Sequence, residues 1–199
     1  MGTSKLLLPW PTTHNQHDML IDHVLRAWSS SLVDRIVVVV RSDDQALLDA
    51  GRNWNVDLLA PAEPPLDMTS SIQAGLQHVA TEYRPKSSDG CFVAPCDLPN
   101  LRSAVIDGLW QAALSDWPTS EASQKCVWTP KFGEQSGHPA LLPWHACRGI
   151  FSLPQGAGVD SHVRSLVRKT VHFPSSLMNE DCDTPEAYAQ ALKRWTQQE

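Results

Sequence analysis

The chain has 199 residues, is 42% hydrophobic and 19% charged, and carries a net charge of −6. That length suits one domain with a real core, and the composition excludes both a disordered and a membrane-spanning chain. The acidic balance, with no Lys/Arg block against it, argues against non-specific nucleic-acid binding, and the five cysteines form no CxxC pair.

In chain order, Leu6-Leu7-Leu8 is a short apolar run closed by Pro9, and Lys5 precedes it in a polar loop. On its own Lys5 reads as a surface lysine. The start lacks a basic region followed by a long apolar core, so no signal peptide is expected and a cytoplasmic setting is. His14 and His17 read as loop residues, because no third metal ligand lies near them. Residues 18–32 carry Leu20, Val24, Ala27 and Trp28 on one face of an expected helix. Residues 35–40, with four consecutive valines, are the strongest strand signal and imply burial on both faces. A helix over 43–53, a short strand over 56–59 and a proline-rich loop follow. Residues 69–83 then read as a helix. Thr69, Ser70 and Ser71 crowd its start, either as caps or as donors to a ligand at the helix N-terminus.

The stretch Cys91–Leu101, CFVAPCDLPNL, organises the rest. Cys91–Ala94 reads as a strand covered on both faces and stopped by Pro95. Asp97 follows on a rigid turn. It either caps the next turn or helix, or stands beyond the strand end and ligates a hard cation such as magnesium. Cys96 beside it would be exposed, although a buried inert thiol is the commoner outcome. A helix is expected over 103–115, strands over 126–129 and 140–142, a helix over 159–168 and a strand over 170–173, with a further short strand over 178–182. His138, after Gly137, either faces a ligand or bonds backbone at a turn. Thr184 and Pro185 open a last helix. Asp181 and Asp183 share a side if their segment is extended, and Asp183 serves either as a cap or as a second acidic group beside Asp97. Alternating strands and helices predict an α/β fold with a mostly parallel sheet.

Five stretches in order, GTSKLLLPW at 2–10, MTSSI at 68–72, APCDLP at 94–99, SGHP at 136–139 and DCDTP at 181–185, resemble the MobA-like NTP transferases, the molybdenum-cofactor nucleotidyltransferases. The first two look more like the cytidylyltransferase branch than the guanylyltransferase branch. The resemblance implies one domain over 1–199 with a mostly parallel, doubly wound, Rossmann-like sheet of the nucleotide-diphospho-sugar transferase type. It implies transfer of CMP or GMP from CTP or GTP to molybdopterin, with Mg2+ as cofactor and with neither nucleic acid nor membrane as partner. Lys5 and Asp97 are then the catalytic pair. Asp97, Asp183 and Asp181 are metal positions, and Gly2, Lys5, Ser70, Ser71, Gly137 and His138 contact nucleotide or acceptor. Family members carry an apolar strand and an Ala-Ala-Gly-x-Ser-x-Arg loop where this chain has only Met1-Gly2, so the first strand is expected to be missing. Two explanations compete, a start codon assigned too late, which is the favoured expectation, and a degenerate relative. The alternatives are a non-catalytic relative that carries the cofactor or chaperones a molybdoenzyme, and a sugar-1-phosphate nucleotidyltransferase.

Overall fold

The computed structural model describes residues 4–10, 18–118, 125–174, 182 and 184–198. A 3-10 turn at Lys5–Leu7 leads to helix α1 (Leu20–Ser29), strand β1 (Val37–Val39), helix α2 (Gln45–Gly51) and strand β2 (Asp57–Leu59). Helix α3 (Met68–Glu82), strand β3 (Gly90–Val93) and helix α4 (Ser103–Leu114) follow. Then come β4 (Cys126–Phe132), β5 (Gln135–Ser136), β6 (Ala140–Pro143), α5 (Trp144–Phe151), α6 (Val159–Ser165), β7 (Val167–Phe173) and α7 (Pro185–Gln198). No helix among the described residues is long and apolar enough to cross a membrane.

The α/β alternation read from the sequence is the architecture observed. The strands form two sheets. β1 and β2 pair in parallel, Val38 opposite Leu58. In the second sheet β6 lies between β3 and β4 and runs antiparallel to both, while β7 runs parallel to β4. The short β5 folds back on the end of β4 through a turn at Gly133, whose φ of +60° favours glycine.

Two expectations need correction. Cys91, Phe92 and Val93 are half-buried rather than covered on both faces, because β3 is an edge strand of its sheet. The expected helix over 159–168 ends at Ser165, because Val167 and Arg168 already pair with Cys126 and Val127. Helix α5 was not anticipated; it starts directly after β6, and its buried Ala146, Cys147 and Ile150 carry the helical spacing that identifies it. The expected strand over 178–182 lies outside the described residues, apart from Cys182.

Apolar packing joins the two sheets. One cluster sets Ile21 and Leu25 of α1 on Val38 and Val40, with Leu6, Leu7 and Cys96 at its margin. A second gathers Trp10, Leu20, Val24, Leu98, Leu101, Ile106, Cys182, Ala191 and Trp195, again with Leu6 at its margin. Helix α1 therefore contributes one face to each cluster, as its apolar stripe requires.

Candidate active site

The Asp97 loop leaves the carboxyl end of β3, and its conformation follows from its residues. Pro95 and Pro99 lack the N–H groups that would extend the ladder. Leu98 and Leu101 are buried as anchors, and the Leu101 N–H donates to the Leu98 carbonyl at 3.1 Å. Asp97 does not cap α4: that helix starts after Arg102 without a side-chain cap. The carboxylate instead accepts a hydrogen bond from Lys5. Nζ lies 2.5 Å from Oδ2, with the two side chains 34% and 16% exposed. The lysine that reads locally as a surface residue is thus held against the acid 92 positions away. Its position is set by the apolar residues after it, since Leu6 and Leu7 pack into the core.

The start of β6 comes to the same end of the sheet. Ala140 pairs with Val93, so the Gly137-His138-Pro139 link and the Asp97 loop leave from one edge. His138 is exposed, and the His138–Pro139 peptide is cis. Gly137 is a packing requirement. A Cβ there would come within 2.7 Å of the Phe132 ring, and its N–H donates to the Pro130 carbonyl at 3.0 Å.

Ser70 and Ser71 are occupied at the start of α3. The Asp67 carboxylate accepts the Ser70 N–H at 2.7 Å and the Ser70 hydroxyl at 2.8 Å, and the Ser71 hydroxyl donates to the Asp67 carbonyl at 3.1 Å. The N-cap of α3 is Asp67, and Ser70 completes the capping box as the third residue of the helix. Ser70 also lines a cavity of about 220 Å³ with Leu66, Asp67, Thr69, Gln73 and Gln155. The far wall is tied to α3: the Thr69 hydroxyl donates to the Ala157 carbonyl at 2.7 Å, and the Gln73 amide donates to the Ile150 and Leu153 carbonyls. Gln73 and Gln155 carried no motif signal that would have marked them, with Thr69, as one wall.

Gly2, Asp181 and Asp183 lie outside the described residues, as do His14 and His17. Cys182 is buried in the cluster that holds Leu98 and Leu101. Among the described residues no group of three or more His, Cys, Asp or Glu side chains could hold a metal. A single carboxylate with an ammonium beside it nevertheless fits magnesium chemistry, because Mg2+ is commonly held by one or two carboxylates plus substrate phosphates. Hard oxygen donors of this kind do not suit a soft metal.

Lys5 and Asp97 thus converge beyond a strand end of an α/β fold. The chain belongs to the MobA-like NTP transferase domain family, whose profile matches residues 1–173. The fold is similar to that of the rv0371c homologue from mycobacterium sp. strain JC1, with 17% identity and a TM-score of 0.73 over 100% of this chain and 91% of that one. It is similar to Rv0371C of Mycobacterium tuberculosis H37Rv, solved in complex with manganese, with 16% identity and a TM-score of 0.69 over 96% and 93% of the two chains. It is also similar to molybdopterin-guanine dinucleotide biosynthesis protein A from Archaeoglobus fulgidus, with 18% identity and a TM-score of 0.63 over 98% and 92%. Among curated proteins none matches.

Proposed function

We propose that this protein transfers a nucleotidyl group, CMP or GMP, from CTP or GTP to molybdopterin. The observation that carries the reading is the Lys5–Asp97 pair, 2.5 Å apart at the carboxyl end of β3. In the transfer, a phosphate oxygen of the acceptor forms a bond to the α-phosphorus of the triphosphate. The bond from that phosphorus to the bridging oxygen breaks, and pyrophosphate leaves with the electron pair. Such chemistry needs positioning and charge neutralisation more than covalent help.

Asp97 would hold the divalent ion, with Asp183 or Asp181 as a second acidic position; the burial of Cys182 beside Leu98 and Leu101 supports that pairing. A bound Mg2+ supplies positive charge to the phosphates. Lys5 shares its charge between Asp97 and the phosphate oxygens. Gly2 is assigned to phosphate contact, Gly137 and His138 to the acceptor side, and Ser70 and Ser71 to the nucleoside side. In that last role Ser70 lines the cavity from the capped helix start, with its hydroxyl on Asp67. The chain is read as one such domain over 1–199.

The test is pyrophosphate release from CTP and from GTP with magnesium and molybdopterin. Asp97→Asn and Lys5→Met should each lower the rate by about 100-fold or more, the scale of losing one preorganised charge-stabilising group. A wild-type rate matched by Asp97→Asn would overturn the reading. Tight molybdopterin binding without any release would favour the carrier instead.

A further inference from the structure

The cavity at the start of α3 has a wall whose hydrogen-bonding capacity can be counted. Gln73 lies on that wall, and backbone holds its side-chain amide. Nε2 donates to the Ile150 carbonyl at 2.9 Å and to the Leu153 carbonyl at 3.2 Å. An amide nitrogen has two hydrogens, so both are spent at the end of α5. Two carbonyl acceptors also settle which end of the amide faces them, because only the NH2 end can donate. Oε1 is therefore the end left over. Among the described residues nothing donates to it, and the atom is not sealed from solvent.

The neighbours on the wall are committed in the same sense. The Thr69 hydroxyl gives its hydrogen to the Ala157 carbonyl, and the Ser70 hydroxyl gives its own to Asp67. The Asp67 N–H donates to the Ser70 oxygen at 3.1 Å. Of the lining side chains only the exposed Gln155 keeps N–H groups to offer. What the wall presents is therefore oxygen: the fixed Gln73 Oε1 and the Asp67 carboxylate.

That balance selects a ligand. A helix start attracts phosphate, but here the Asp67 carboxylate already fills that role and repels a second anion. The complement of the wall is a donor of N–H bonds. The cavity, at about 220 Å³, is smaller than the roughly 300–1,000 Å³ that encloses a whole small molecule, so it receives one end of a ligand. In the transfer described above, the donor on offer is an amino group on a flat heterocycle, carried by the nucleobase or by the pterin of the acceptor.

We propose that Gln73 is a specificity-determining residue: its Oε1 accepts an N–H from the exocyclic amino group of a heterocycle seated between α3 and the 153–157 stretch. The class of ligand rests on the nucleotidyl-transfer reading. The orientation of the amide does not. With both hydrogens tied to backbone, the amide does not turn over to offer N–H instead. An oxo group in place of the amino group would set oxygen against oxygen and leave both without a partner.

The test is calorimetric titration of the full-length protein, with magnesium, against three matched pairs: CTP and UTP, GTP and ITP, pterin and its oxo counterpart lumazine. The second member of each pair lacks the amino group. In at least one pair the amino form should bind about tenfold more tightly, the scale of one hydrogen bond, and the pair that does so identifies the source as nucleobase or pterin. Gln73→Lys keeps N–H donors for the Ile150 and Leu153 carbonyls but has no acceptor. It should melt near the wild-type temperature and lose the discrimination. Where the lysine variant fails to fold, Gln73→Met, similar in length and without an acceptor, decides. Equal affinity or no binding within every pair overturns the proposal, and so does discrimination that survives in a folded variant. Pyrophosphate release judges the transfer separately. Selective binding without any release leaves Gln73 standing and removes the transfer, whereas release without amino selectivity in any pair does the reverse.

Discussion

Cys96 stands next to Asp97, yet its thiol is pushed up to about 11, first by desolvation and then by the neighbouring carboxylate. The residue as a whole is half-buried, but the nucleophile in cysteine chemistry is the thiolate, and this environment suppresses it. Cys147 is raised as well, by its hydrogen bond with Cys91 and by burial. Iodoacetamide near neutral pH should therefore leave Cys96 and Cys147 intact in the native protein, while the unfolded chain alkylates all five cysteines. Mass spectrometry of the digested protein reads the outcome, and rapid labelling of native Cys96 would show that the thiol is not desolvated. A thiol beside a carboxylate loses the reason to ionise.

At the scale of the element, the start of α3 shows how a cap shapes a cavity. The Asp67 carboxyl is held below the usual range, first by the backbone N–H of Ser70 and then by its hydroxyl. A depressed folded value means stabilisation that is present above the unfolded value and is lost as pH falls through the folded one. Asp67→Ala should lower the melting temperature at neutral pH, and its gap to wild type should close as pH falls below about 4, the ordinary Asp value. A gap independent of pH would mean that the carboxylate does not cap. The sequence marked this helix to within a residue at either end, because Ile72, Leu76, Val79 and Ala80 repeat at helical spacing. It also marked β1, β2, α4 and the start of α7. Local pattern could not join Lys5 to Asp97: their contact spans 92 positions, and only the resemblance put both in one site.

For the whole molecule, the notable contact is between the first and last parts of the described chain. Trp10 and Trp195 lie 6.3 Å apart, and the Tyr188 hydroxyl donates to the Pro9 carbonyl. With Trp195 only 5% exposed, Trp195→Ala should destabilise the protein by about 3–5 kcal/mol, the usual cost of emptying a buried aromatic site. Urea unfolding measures it, and a loss below about 1 kcal/mol would show that α7 docks loosely.

Between its two sheets the protein has no strand-to-strand hydrogen bond among the described residues. Oily contact through Leu6, Ile21, Leu25 and their neighbours does most of the joining, beside the Lys5–Asp97 pair and the Leu32 N–H bond to Asp107. Attraction of that kind weakens on cooling, whereas backbone ladders are far less sensitive to temperature. Chilling should thus loosen the junction before it frays either sheet, and Lys5, whose turn is seated there, would be the first of the pair to lose its station.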